Sequence, residues 1–184
     1  NFNGVLRPTE GSLIYKGNKI RYNQKSLLQL RKNIGIVFQD PENQLFSASV
    51  YQEVSFGAMN LKLGETEVKR RVETALKNIG MYDYREKAVH FLSYGQKKRV
   101  SIADILVMNP EIIVFDEPTS SLDPKHATQI IDIFNDINEK GITIILSTHD
   151  VELAYSWSDY IFVMKNGEIA KEGTPYEIFS DNKL

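Results

Sequence analysis

The sequence predicts an α/β domain with a mostly parallel core sheet, and three observations lead there. Ile34-Gly35-Ile36-Val37-Phe38, Ile112-Ile113-Val114-Phe115 and Ile142-Thr143-Ile144-Ile145-Leu146-Ser147 are short apolar runs rich in β-branched residues, the kind that fills a parallel sheet buried on both faces. Segments of helical periodicity separate them. Each run also leads into polar side chains: Gln39, the pair Asp116 and Glu117, and His149 just beyond Ser147 and Thr148. Ligands of open α/β sheets bind at the carboxyl ends of the strands, so these residues are expected to line one edge and carry the chemistry.

Along the chain, Val5-Leu6 reads as the end of an apolar helix, broken by Arg7-Pro8-Thr9-Glu10-Gly11. Ser12 to Tyr15 and Lys19 to Tyr22 alternate around Lys16-Gly17-Asn18, a hairpin signal. Ser26 to Lys32 is a short helix with Leu27, Leu28 and Leu30, and the strand Ile34 to Phe38 follows, ended by Gln39-Asp40-Pro41. Ser49 to Leu61 and Glu65 to Gly80 read as amphipathic helices, the second with Val68, Val72, Ala75, Leu76 and Ile79 on one face. Leu92-Ser93-Tyr94-Gly95-Gln96 opens another helix, whose apolar face is Val100, Ile102, Ala103, Leu106 and Val107; Lys97-Lys98-Arg99 is expected to form its first exposed turn, and Asn109-Pro110 closes it.

After the strand Ile112 to Phe115, stopped by Pro118, Lys125 to Lys140 is a helix with Ile130, Ile131, Ile133, Phe134 and Ile137, stopped at Gly141. Ile142 to Ser147 is expected to be a third buried strand. Val151 to Trp157 is a short helix, Tyr160 to Met164 a strand, Asn166-Gly167 a hairpin turn before Glu168 to Lys171, and Thr174-Pro175 the cap of a last helix at Tyr176 to Phe179. The chain reads as one domain over residues 1–184, without internal repeats or low-complexity linkers, with a helical part at about 45–105.

Composition narrows the function. Lys plus Arg number 22 against 24 Asp plus Glu, a net charge of -2, which argues against a nucleic-acid partner. Cysteine is absent, so disulfides and thiolate metal sites are excluded, and His90, His126 and His149 are too scattered for a metal cluster. No apolar run approaches the ~20 residues that cross a bilayer, and no charged-then-apolar leader opens the sequence, so a cytoplasmic protein, peripheral to a membrane, is expected.

The candidate chemistry is nucleotide hydrolysis. A strand-end carboxylate such as Asp116 is the type that holds Mg²⁺ in nucleotide hydrolases, and a second carboxylate beside it, Glu117, is placed to orient the attacking water. A serine at a helix start followed by glycine, as in Ser93-Tyr94-Gly95, presents free backbone N–H groups and the positive end of the helix dipole to an anion.

Leu92-Ser93-Tyr94-Gly95-Gln96-Lys97-Lys98-Arg99 resembles the signature sequence of ATP-binding-cassette (ABC) ATPases, upstream of a Walker B-like strand by a typical interval. Gln39 resembles the family's Q-loop residue, Ser121-Leu122-Asp123 its D-loop and His149 its switch histidine, all in the family's order. Within the family, Phe38-Gln39-Asp40-Pro41-Glu42-Asn43-Gln44-Leu45-Phe46 and Val54-Ser55-Phe56-Gly57 are similar to the ATPases of energy-coupling-factor importers, especially the cobalt and nickel type.

The resemblance implies a P-loop NTPase-type fold with a small antiparallel β part and a helical signature subdomain, and ATP and Mg²⁺ as its ligands. It implies that Asp116 holds Mg²⁺ largely through water, that Glu117 is the general base, and that Gln39 touches the metal and the attacking water. His149 would contact the γ-phosphate. Ser93, Gly95 and Gln96 would serve a nucleotide held by a second ATPase subunit, the same chain or a paralogue, with Asp123 across that interface. The segment after Gln39 would face transmembrane subunits at the cytoplasmic face of the membrane, and cobalt is the expected cargo.

Three features depart from the family pattern. Tyr94 stands where glycine is usual, and a positive φ there would be costly. Asp104 occupies a helix position where a small residue is expected, so it must face solvent or find a partner. No G-x-x-x-x-G-K-[ST] motif occurs; Asn1-Phe2-Asn3-Gly4 resembles the tail of the helix that follows it, so the chain is expected to begin just after its own P-loop. The P-loop strand would lie between strands corresponding to Ile142–Ser147 and Tyr160–Met164, so a gap is expected there. This absence supports a second reading, a non-hydrolysing module whose signature face completes a partner's ATP site. A chromosome-maintenance ATPase would need a long coiled coil between Gln39 and Leu92, for which the interval is too short.

Overall fold

The computed structural model describes residues 2–180, and the chain divides into two compact units, Asn1–Ser147 and Thr148–Leu184. The first unit is built on a parallel three-stranded sheet of β3 (Ile34–Val37), β4 (Ile112–Asp116) and β5 (Thr143–Ser147), with β4 in the middle. Val37 lies opposite Phe115, and Asp116 opposite Ser147. That register brings residues far apart in sequence to one edge. Before the sheet, β1 (Ile14–Tyr15) and β2 (Asn18–Lys19) form the expected hairpin, shorter than its alternation suggests, and α1 (Gln24–Asn33) is capped by Asn23.

One face of β4 is buried through Ile113 and Phe115, while Ile112 and Val114 on the other are half-buried. Phe115 stacks on Phe134 of α5 (Pro124–Glu139), ring centroids 4.3 Å apart, and Ile130, Ile133 and Ile137 complete that buried helix face. Beside the sheet, α2 (Val50–Asn60), α3 (Glu65–Asn78) and α4 (Tyr94–Leu106) pack together around Val54, Val72, Leu76, Val100 and Ile102. α4 approaches β3 so closely that a side chain at Gly35 would collide with Ile105, which explains a glycine inside a strand.

The structure corrects the sequence reading at three places. Residues 2–6 form turns and bends, not the end of a helix. The Asn3 side chain accepts the N–H of Val5, and the carbonyls of Asn3 and Gly4 accept from Arg31, so this backbone is satisfied by side chains. β5 is not a buried strand: its residues alternate between exposed and half-buried, and Ile145 is 36% exposed. The reason is position, since among the described residues β5 pairs with β4 alone, as an edge strand of the sheet. Lys97-Lys98-Arg99 is not an exposed turn: Lys98 is fully buried and its two neighbours are half-buried.

The second unit holds α6 (Val151–Trp157), the antiparallel pair β6 (Ile161–Lys165) and β7 (Glu168–Gly173), and α7 (Pro175–Phe179). The Asn166-Gly167 turn joins the pair as expected, with positive φ at both residues. Tyr155 of α6 meets Phe179 of α7 edge-on, and Thr174 caps α7 through a reciprocal bond with Glu177.

Asp104 finds a partner rather than solvent. It lies on the inner side of α4, where its carboxylate accepts from Gln44 at 3.2 Å; the same amide also donates to the Ser101 carbonyl at 2.9 Å. Burial pushes the Asp104 carboxyl up to about 7, the Gln44 hydrogen bond opposes this, and the nearby charge of Glu53 adds to it. A carboxyl whose pKa rises on folding keeps its proton longer in the folded state. Stability is therefore greatest below the ordinary range near 4, falls as pH rises from about 4 to about 7, and stays lower above that.

Asp104→Asn should therefore raise stability by roughly 1–3 kcal/mol at pH 8 and leave it nearly unchanged at pH 4. Thermal melts across that range check this, and a parallel pH dependence in both proteins would contradict it. The open β5 edge carries a second expectation, that the isolated chain self-associates with rising concentration. Sedimentation measures this directly, and a monomer that melts cooperatively would refute it.

Candidate functional site

The strand ends of the first unit form the candidate site. Because Val37 pairs with Phe115, the segments Phe38-Gln39 and Asp116-Glu117 leave the sheet side by side. Asp116 is exposed, and its Oδ1 accepts a 2.6 Å hydrogen bond from the Ser147 hydroxyl on β5. The same hydroxyl oxygen accepts from the Glu117 N–H at 3.2 Å, and the Ser147 carbonyl accepts from it at 3.1 Å. Ser147 thus bridges both carboxylate residues. Sequence reasoning missed it, because a serine at a strand end carries no spacing signal of its own.

The backbone at this edge is strained. Glu117 has φ 44° and Ser121 φ 63°, left-handed values that side-chain-bearing residues rarely adopt. Around Glu117 the hydrogen bonds to Ser147 and the Ser120 N–H to Glu117 carbonyl bond, 3.2 Å, hold the turn. Such outliers persist where the surroundings over-determine them, often at functional sites. The costly backbone expected at Tyr94 does not arise, since Tyr94 begins α4 in helical conformation.

Gln39 is exposed, and its side-chain amide donates to the Ser120 hydroxyl at 3.4 Å. The loop after it is pinned at many points. Gln44 accepts from the Phe38 N–H at 3.4 Å, and buried Glu53 of α2 accepts from the N–H groups of Phe46 and Ser47 at 2.9 and 2.6 Å. From α4, Tyr94 donates through its hydroxyl to the Gln39 carbonyl at 3.2 Å, Lys97 pairs with Glu42 at 2.5 Å, and Lys98 donates to the carbonyls of Gln39 and Phe38 at 2.6 and 3.3 Å. Burial lowers the Lys98 ammonium to about 8, while Asp116, Asp40 and Glu117 pull the other way.

Ser93 is the N-cap of α4: its hydroxyl accepts from the Gln96 N–H at 3.3 Å, and the Gln96 side chain accepts from the Ser93 N–H at 3.0 Å. Gly95 follows in the first turn, covered by the ring of His126, which a Cβ at Gly95 would meet at 3.0 Å. Asp123 caps α5, accepting from the His126 N–H at 3.0 Å and contacting the His126 ring nitrogen at 2.6 Å. Bonds from His126 hold the Asp123 carboxyl below the ordinary range. His126 therefore links the signature-like turn to the D-loop-like turn, a link no local spacing announces. His149 is an exposed residue near the start of the second unit, just before α6 and its cap Asp150. The structure thus gathers Gln39, Asp116 and Glu117 at one edge, and Ser93, Gly95, Gln96 and Asp123 around the starts of α4 and α5.

Comparison with known proteins shows what this chain is similar to. The energy-coupling factor transporter ATP-binding protein EcfA of Methanocaldococcus jannaschii is 52% identical over 181 residues, which cover 98% of this chain and 65% of that protein. EcfA3 of Clostridium perfringens is 48% identical over 185 residues, covering 100% of this chain and 65% of that protein. The chain therefore spans about 65% of the length of these curated relatives. Among solved structures, cbiO1 of Clostridium perfringens, part of the ABC transporter complex cbiONQ, superposes with a TM-score of 0.90 at 48% identity, over 98% of this chain and 72% of that one. The ATP-binding cassette MJ0796, a dimer in a post-hydrolysis state with ADP and Pi, superposes with a TM-score of 0.82 at 28% identity, over 94% of this chain and 77% of that one. The profile of the ABC transporter family matches residues 1–120, a stretch that includes the first hairpin, Gln39, Ser93, Asp116 and Glu117, and by that match this chain belongs to the ABC transporter family.

Proposed function

We propose that this chain binds and hydrolyses ATP as part of the ATPase subunit of an energy-coupling-factor importer, and that cobalt is the cargo. The observation that carries this reading is the strand-end group of Gln39, Asp116 and Glu117, with Ser147 bridging the two carboxylate residues. Cobalt is chosen over nickel or a vitamin on resemblance alone, the segment Phe38 to Phe46 being similar to importer ATPases of the cobalt and nickel type. No helix among the described residues is long and apolar enough to cross a membrane, so the energy would reach the cargo through transmembrane partner subunits, with this chain peripheral to the cytoplasmic face.

Asp116 and Gln39 are the residues that would hold Mg²⁺. The donor set fits, because Mg²⁺ keeps several waters and needs only one or two carboxylates besides phosphate oxygens. Ser147 occupies one of the roughly four acceptor positions of the Asp116 carboxylate. When bound, the ion neutralises charge on the β- and γ-phosphate oxygens. Glu117, fixed by Ser147 in its left-handed backbone, takes the proton from the attacking water. Gln39 orients that water through its side-chain amide. His149 is assigned to the γ-phosphate by its place in the motif order.

At the start of α4 the capping box takes the N–H groups of Ser93 and Gln96, which leaves the N–H groups of Tyr94 and Gly95, beside the Ser93 hydroxyl and the Gln96 side chain, for a nucleotide held by a second ATPase subunit. The Ser93 hydroxyl accepts from Gln96 and keeps its own proton for such a phosphate. Asp123 lies in the turn that leads into α5 and contributes at the same subunit boundary.

Hydrolysis with Glu117→Gln as the comparison tests the proposal. The variant should bind MgATP with affinity within about threefold of the parent and lose turnover by at least ~100-fold. Equal turnover in both would remove the assigned base. It would favour instead a module that completes a partner's ATP site through the start of α4.

A further inference from the structure

Lys98 is fully buried, its side chain among the largest with no solvent exposure. Taking an ammonium out of water costs several kcal/mol unless its protons find partners. Here the partners are main-chain oxygens: Nζ lies 2.6 Å from the Gln39 carbonyl and 3.3 Å from that of Phe38. No carboxylate among the described residues comes within ion-pair distance, although the charges of Asp116, Asp40 and Glu117 favour the cation. A buried methionine of similar shape would fill the same space without that desolvation cost. The lysine is thus placed where its charge and donors act on one short piece of backbone.

That piece carries Gln39. Its carbonyl oxygen accepts from Lys98 and also from the Tyr94 hydroxyl at 3.2 Å, which uses both lone pairs. Glu42, three residues on, is paired with Lys97. Tyr94 and Lys98, from the first turns of α4, therefore fix the peptide from which the Gln39 amide projects toward Ser120, and Lys97 holds Glu42 further along the same loop. Removing Lys98 would take a donor from both carbonyls and leave the Gln39 carbonyl held by the Tyr94 hydroxyl alone.

We propose that Lys98 is a positioning residue for hydrolysis: by clamping the carbonyls of Phe38 and Gln39 it fixes the Gln39 side chain in register with Asp116 and Glu117. In this role it acts through Gln39, by way of the two carbonyls it holds. The proposal rests on the ATPase reading, which the Glu117→Gln comparison tests without reference to Lys98.

The test is steady-state ATP hydrolysis by the full chain with its ATPase partner, comparing Lys98→Met with Lys98→Cys. The chain contains no cysteine, so the single thiol of Lys98→Cys can be alkylated in the unfolded state with 2-bromoethylamine, which rebuilds a lysine-like ammonium, or with 1-bromopropane, which gives a neutral chain of the same length. Lys98→Met and the propylated protein should lose roughly 10- to 100-fold in kcat with KM for ATP within about twofold. The aminoethylated protein should recover most of the parental kcat. The side-chain amide signals of Gln39 in NMR spectra should shift in Lys98→Met and return on aminoethylation, a readout independent of turnover. An unchanged kcat and an unchanged Gln39 signal in a folded Lys98→Met protein would overturn the proposal. So would equal recovery by the charged and neutral adducts, or a loss expressed in KM alone. Should Lys98→Met not fold, the two adducts decide the question between them.

Discussion

Parallel hydrogen bonding of Ile34–Val37, Ile112–Asp116 and Thr143–Ser147 determines where the rest of the first unit can place its chemistry. With Val37 beside Phe115 and Asp116 beside Ser147, the last residues of all three strands reach the same edge. A shift of one residue would turn Phe115 away from Phe134 and separate Asp116 from the Ser147 hydroxyl. The tight turn at Glu117, with its left-handed backbone, is tolerable because Ser147 is there to accept its N–H. Core packing and site geometry are therefore two consequences of one register.

Around that edge, polar groups are buried in an organised way. The segment from Phe38 to Ser47 has little regular structure of its own, yet its backbone is held by Lys98, Tyr94, Gln44 and Glu53. Buried carbonyls and N–H groups need partners, and a loop without a ladder must find them in side chains. The helices α2 and α4 supply them. The same choice puts a cation, Lys98, and the carboxyl groups of Asp104 and Glu53 into a helical interior, and burial disfavours the charged forms of Lys98 and Asp104. The result is a loop whose geometry is fixed by the helix that also presents Ser93 and Gly95.

Much of this was legible in the sequence for reasons that can be named. Near-continuous apolar runs marked β3 and β4, and Ser93 and Thr174 marked helix starts because a side-chain oxygen must meet orphan N–H groups there. The order of Gln39, Ser93, Asp116, Glu117, Asp123 and His149 pointed to the family. What stayed hidden depended on neighbours distant in sequence. β5 has the composition of a buried strand, and only its place at the sheet edge leaves Ile145 exposed. Lys98 sits between two other cations, a pattern that reads as a solvated face, and its partners are carbonyls 59 and 60 residues away. Backbone acceptors have no residue identity, so no spacing rule reveals them. Ser147 was invisible for the same reason: its role comes from the strand beside it.

The central claim, that Gln39, Asp116, Glu117 and Ser147 surround one metal–nucleotide site, is tested most directly by paramagnetic broadening. Mn²⁺–ATP, added in substoichiometric amounts to the isotope-labelled full chain, should broaden the side-chain amide of Gln39 and the backbone amides of Glu117 and Ser147 together, and excess Mg²⁺–ATP should restore them. Sharp signals at those three residues, with broadening elsewhere or nowhere, would contradict the account.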